Sequence, residues 1–155
     1  MSQTTPQEQL RKLGITLPPA PPAVGSYVPV LRFGSFVVTS GQLPFRDGKL
    51  IAEGRVGSDV SLEQAQEAAR CCVLNAIAQL QAAVGDLSRI RRIFRLDGYV
   101  HAAPGFHQHP LVLNAASELL TAIFGERGTH TRVALGVHDM PLNAPVQIAL
   151  WAEAE

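Results

Sequence analysis

The stretch from Ser61 to Gly85 constrains the fold more than any other part of this chain. Ala65, Ala68, Ala69, Cys72, Ala76, Leu80 and Ala83 recur there at helical spacing, so they share one face of a helix. Ser61 followed by Gln64 has the form of a capping box, and Gly85 supplies the stop. A stripe made mostly of alanine lets such a helix lie close against a sheet.

The flanking sequence offers that sheet. "YVPVLRF" from Tyr27, a Gly34-Ser35 turn and "FVVTSGQLPF" are rich in β-branched and aromatic residues and read as a hairpin. "RDGKL" gives Asp47-Gly48 as a second tight turn into a short strand, followed by the loop "GRVGSD". After the helix, "RIFRLDGYVHAA" reads as a strand ending at Pro104. "PLVLNAASELLTAIFGERG" reads as a second helix, with Pro110 at its start and Gly125 or Gly128 as its stop. Two strands close the chain, Arg132 to His138 and Val146 to Trp151. The order ββ(β)αβαββ predicts an α+β fold: a mixed sheet with two main helices packed on one face.

Ahead of this domain, Pro6 to Leu13 can form a short helix ended by Gly14, and "LPPAPPAVG" then fixes an extended path. The expected division is an arm over residues 1–20 and a single domain over 21–155. A chain of 155 residues can bury a real core, and no apolar run approaches the length of a membrane span.

Thirteen basic and thirteen acidic side chains balance, so no global field draws in a polyanion. Only "RIRRIFR", with Arg89, Arg91, Arg92 and Arg95, is locally basic, and it reads as a solvated edge rather than a nucleic-acid surface. Cys71 and Cys72 are neighbours in a helix, where disulfide geometry is poor, which suggests a reducing compartment. "MSQTTPQEQLRKLG" lacks the charged and apolar regions of a secretory signal, and the expected location is cytoplasmic.

The end of the chain poses the functional question. "GTHTRVALGVHDMPLNAPVQIALWAE" carries Arg132 at the head of an apolar, alternating run, and a guanidinium is expensive to bury unless something pairs with it. By alternation Val133, Leu135 and Val137 share one face, and Arg132, Ala134, Gly136 and His138 the other. Matching the apolar set to Val146, Ile148 and Leu150 turns it toward the helices. A hairpin pairing Val137 with Val146 then sets Arg132 opposite Trp151, beside small residues and Gln147, on a face that another subunit would cover. Arg132 is there either an interface salt-bridge partner or a bidentate anchor for a planar carboxylate. In that register Gln147 lies four residues along the sheet from Arg132, roughly 13 Å at about 3.3 Å per residue.

"VGSYVPVLRFGSFVVTSGQLP", the helix, and "HTRVALGVHDMPLNAPVQIALWAE" together resemble the Rid (YjgF) family, formerly grouped with the L-PSP endoribonucleases. The resemblance runs from about Pro21 to the C-terminus. It implies a chorismate-mutase-like fold assembled as a homotrimer, with small-molecule sites in the clefts between subunits, and an enamine or imine deaminase activity. It also implies that Arg132 binds the substrate carboxylate, with Tyr27, Ser40 and Gly41 near the substrate. Where active deaminases carry a water-holding glutamate this chain has Gln147, and where they carry a helix asparagine it has Ser117. A glutamine can position water but cannot take its proton at neutral pH. The expected ligand is therefore a small carboxylate or imine, with weak or absent hydrolysis.

No cofactor or metal is expected. His107 and His109 are close but sit in a loop without a carboxylate or cysteine at ligand spacing, whereas His130 and His138 flank Arg132 and could line the cleft. No Ser-His-Asp order, phosphate-binding glycine loop or dinucleotide fingerprint appears.

Overall fold

A computed structural model describes residues 4–155; the first three residues of the expected arm lie outside the described residues. The capping box forms: Ser61 Oγ accepts from the Gln64 N–H at 3.1 Å, and Gln64 Oε1 from the Ser61 N–H at 2.9 Å. It starts helix α2 (Leu62–Val84), which Gly85 ends at φ 83°. Ala65, Ala68, Ala69, Cys72, Ala76 and Leu80 of the stripe are wholly buried. A second capping box on Thr5 starts helix α1 (Pro6–Lys12), whose Leu10 is buried in the main core, with Ile15 and Leu17 packed against the same core.

Strands β1 (Val30–Phe33) and β2 (Phe36–Thr39) form the first hairpin. The pair β3 (Phe45–Arg46) and β4 (Lys49–Leu50) turns through Asp47 and Gly48, both at positive φ, as a two-residue turn matched to strand twist requires. After α2 come β5 (Ile90–His101), helix α3 (His109–Phe124), β6 (Thr131–Val137) and β7 (Val146–Ala154).

The main sheet has the order β1-β2-β7-β5-β6, with β5 and β6 parallel and the other neighbours antiparallel. A parallel pair needs a crossover, and α3 is that crossover. Both helices therefore pack on one face, α2 against β7 and α3 against β5 and β6.

This order corrects the expected final hairpin. Strands β6 and β7 do not pair; β5 lies between them, so Leu96 has Arg132 on one side and Leu150 on the other. The residue opposite Trp151 on β5 is Arg95, not Arg132.

The face of β6 is also reversed from the expectation. Arg132, Ala134 and Gly136 stand in register with the buried Leu96, Gly98 and Val100 and so face the helices, while Val133, Leu135 and Val137 face outward. The small residues make room for α3 rather than for a ligand. A Cβ on Gly136 would lie 2.5 Å from His109 Nε2, and one on Gly98 would run into Leu113.

The closed face is dry: Ile93, Leu96, Val100, Val146, Ile148 and Leu150 are wholly buried against α2 and α3. On the other face Phe33, Phe36, Leu135 and Trp151 are exposed. Phe36 and Phe94 meet edge to face there, and the Trp151 indole N–H donates to Asp97 at 2.9 Å.

Candidate functional site

Turned toward α3, Arg132 donates through Nη1 to Asn114 Oδ1 at 2.9 Å and to Ser117 Oγ at 3.1 Å. Asn114 and Ser117 lie one helical turn apart, so both side chains face β6. His130, just ahead of β6, lies with Nε2 2.8 Å from Ser117 Oγ and Nδ1 2.6 Å from the Gly128 carbonyl. A carbonyl only accepts, so Nδ1 carries the proton of the neutral ring and Nε2 accepts from the Ser117 hydroxyl. The result is one directed chain from guanidinium to serine to imidazole to backbone. Among the described residues no carboxylate lies within ion-pair distance of Arg132, and its Nε and Nη2 have no protein acceptor.

Tyr27, Ser40, Gly41 and Gln147 gather elsewhere, around an open cavity of about 620 Å³ walled by Pro21, Pro22, Pro141 and Leu142. Ser40 Oγ donates to the Val28 carbonyl at 2.7 Å, and Tyr27 Oη accepts from the Val24 N–H at 3.4 Å. Gln147 lies directly over Gly41: a Cβ there would come within 2.5 Å of the Gln147 Cδ, so glycine is what lets the amide rest on the backbone. Gln147 shares the open face of the sheet with Tyr99, its register partner.

The predicted site residues thus fall into two sets. Tyr27, Ser40, Gly41 and Gln147 come together, and Arg132 joins Ser117, but the sheet separates the sets because Arg132 and Gln147 point to opposite faces.

Asn114 and the loop after β6 escaped the sequence reading as site residues, and His130, read there as able to line the cleft, takes a different place. Asn114 shares the grip on Arg132, and its spacing to Ser117 was the available signal. His130 enters through its bond to Ser117 rather than by lining a surface. In the loop after β6, Leu142 at φ 57° and Asn143 at φ 59° hold a left-handed backbone that costs a non-glycine residue about 1–2 kcal/mol. Leu142 forms part of the cavity wall, and the Asn143 carbonyl is tied by the Gly54 N–H at 2.8 Å.

The remaining candidates are accounted for within the fold. All four arginines of "RIRRIFR" are engaged: Arg89 with the Val84 and Glu155 carbonyls, Arg91 with Glu153, Arg92 with the Thr129 carbonyl and Arg95 with Asp97. The Cys72 thiol is wholly buried and Cys71 nearly so; burial raises the pKa of both, which disfavours the thiolate. Among the described residues no three His, Cys, Asp or Glu side chains gather as a metal ion would require. No described helix is long and apolar enough to cross a membrane.

A family profile described as "YjgF/chorismate_mutase-like, putative endoribonuclease" matches residues 7–154. The chain belongs to this YjgF family. Its mixed sheet with helices on one face is the family's chorismate-mutase-like fold. A Shewanella oneidensis protein solved under the same endoribonuclease description is 42% identical, with 97% of this chain and 99% of that one covered and a TM-score of 0.94. Protein TCP17 of Trypanosoma cruzi is 39% identical over 145 residues, 93% of this chain and 91% of its own. Escherichia coli TdcF, solved with bound serine, is 22% identical with a TM-score of 0.63 over 88% of this chain and 94% of that one; at that distance the likeness is one of fold.

Proposed function

We propose that this YjgF-family protein is a cytoplasmic homotrimer that binds small carboxylates in clefts between its subunits, with Arg132 as the anchor. The carrying observation is the guanidinium itself. Asn114 and Ser117 orient it through Nη1 without neutralising it, which leaves Nε and Nη2 for a bidentate carboxylate. The serine bound to TdcF, on the same fold, is a molecule of this chemistry.

Arg132 and Gln147 occupy opposite faces of one sheet, so a ligand that touches both takes them from two copies of the chain. The apolar open face around Trp151 and Leu135 supports association. Three copies are what the family resemblance implies.

On an imine, the cleft would hold the carboxylate on Arg132 while Gln147 places a water. Placement alone accelerates hydrolysis. An amide in place of a carboxylate supplies no general base, so slow deamination is the accompanying activity. Full deamination is the second reading and needs another group to take the proton of water. RNA cleavage has the least support: the net charge is zero and the one arginine-rich stretch is already engaged.

The test is calorimetric titration of a 2-keto acid into the wild type and into Arg132→Ala, with sedimentation of both. The expected result is a loss of roughly tenfold or more in affinity with the trimer intact. A variant that falls apart would make Arg132 an interface residue instead, and a monomeric wild type would remove the shared cleft.

A further inference from the structure

We infer that the protein has a second ligand site, apart from the Arg132 and Gln147 sets: the cavity between the proline arm, the β3–β4 hairpin and α2 takes a neutral aromatic molecule that donates one N–H or O–H to Asn75. The inference is independent of the carboxylate reading of Arg132.

This cavity holds about 710 Å³, and its walls include Pro18, Pro19 and Pro21 of the arm, Phe45 of the hairpin and Leu74 of the helix. A mostly apolar lining with a few polar groups that fix orientation is how small-molecule sites are built. Proline has no backbone N–H, so those positions of the arm bring no donor to the cavity.

The polar group is supplied by α2. Cys71, Asn75 and Gln79 follow one another at intervals of one helical turn and so share a face. Gln79 Nε2 donates to the Pro21 carbonyl at 2.6 Å, which fastens the arm over that face. One turn back, Asn75 lines the cavity and is only 1% exposed. Its Nδ2 has two hydrogens and spends both, on the Leu43 and Phe45 carbonyls at 3.0 Å each. Turning the amide over would set its oxygen against those two carbonyls, so Oδ1 faces away from them. Oδ1 is buried and has no hydrogen-bond partner among the described residues.

The neighbouring donor cannot serve it, because the Cys71 thiol is directed to the Phe45 carbonyl at 3.3 Å. A buried acceptor left unpaired is costly, and a donor brought in by a ligand recovers that cost. Asn75 therefore asks for an N–H or O–H from outside the chain.

Charge and shape define the rest of the molecule. The two charged residues of the lining, Arg46 and Asp47, are exposed, and Arg46 is paired with Glu67 at 2.9 Å. An ionic ligand would leave water for an apolar wall without a free counter-charge, whereas a neutral one would not. An aromatic ring buries much apolar surface, meets Phe45 as a ring partner and carries a donor at one end. Pro21, Pro22, Val24 and Phe45 also wall the cavity of Tyr27 and Gln147, but Asn75 belongs to this cavity and Gln147 to the other.

Indole and N-methylindole share one ring system, and only indole has an N–H to give. Calorimetric titration of each into the intact wild-type assembly should show indole binding roughly tenfold or more tightly. Asn75→Leu should bring the two affinities together by weakening indole. Leu74→Trp, which fills the cavity from a partly exposed helix position, should abolish binding of both probes and gives the location if Asn75→Leu fails to fold. Equal affinities in the wild type would mean that Asn75 Oδ1 is met by water alone, and they overturn the inference. So does a wild type that binds neither probe. A preference for indole that survives Asn75→Leu, or binding unchanged in Leu74→Trp, places the ring elsewhere and overturns it as well.

Discussion

The two faces of the five-stranded sheet are built from the same strands by the same alternation, yet they do different work. On the closed face β7 contributes Val146, Ile148 and Leu150, wholly buried under the helices; on the open face its alternate residues are Gln147, Ala149 and Trp151, and the tryptophan is exposed. The closed face is finished within one chain. The open face is not, because its aromatic and aliphatic side chains have no cover of their own. The two halves of the candidate site divide the same way, Arg132 toward the helices and Gln147 away from them. A single chain thus holds a complete core, and on the proposed reading its candidate site is completed by a second copy.

The largest expected effect separates the faces by their energetics. Leu150→Ala opens a cavity in the dry core and should cost about 2–5 kcal/mol in urea unfolding. Trp151→Ala, the next residue, should change the stability of the single chain far less but shift the sedimenting species toward smaller assemblies. If Trp151→Ala instead destabilises as much as Leu150→Ala with the assembly unchanged, the open face is a core surface and the comparison fails.

A second experiment sharpens the chemical side of the division. Gln147→Glu restores a carboxylate over Gly41, where it can take a proton from water. In an assay that generates the imine with an amino-acid oxidase or lyase, 2-keto acid release should rise on the order of 10²-fold over a slow wild type. Robust wild-type turnover that the substitution does not raise, but that Arg132→Ala abolishes, would show that another group activates the water. Full deamination would then be the better reading.

How these faces are assigned marks what the sequence makes legible. Capping at Ser61, the stop at Gly85, the Asp47-Gly48 turn and the helix after Pro110 are written in local chemistry, and each forms. Strand order is not local. Nothing between Arg132 and Trp151 reveals that β5, some forty residues earlier, inserts between β6 and β7. The face of β6 misleads for a further reason: it is an edge strand crossed closely by α3, so its inward residues are the small Ala134 and Gly136 and its bulky Val133 and Leu135 point out. A reading that sends the larger apolar set inward reverses such a strand, and Arg132 with it. The site residues identified by resemblance still cluster, as two groups rather than one, because the chain segments that carry them are each short and locally fixed.

The smallest effect concerns the rim of the closed face, where water reaches the start of α3. His109 sits there with Nε2 against Gly136 and its ring edge-on to Phe106, the centroids 5.4 Å apart. Burial, with a contribution from nearby His107, holds its pKa below the ordinary histidine value. The unfolded chain therefore binds this proton more readily than the folded one, and stability falls as pH drops through the unfolded value of about 6.5. Above that pH both states are neutral at this residue and the effect vanishes. Urea midpoints measured at about pH 7.5 and about pH 5.5 should fall less on acidification in His109→Gln than in the wild type, the other histidines contributing equally to both. An equal fall in the two proteins would mean that His109 stays hydrated in the fold, and that the seal between α3 and β6 begins deeper than Gly136.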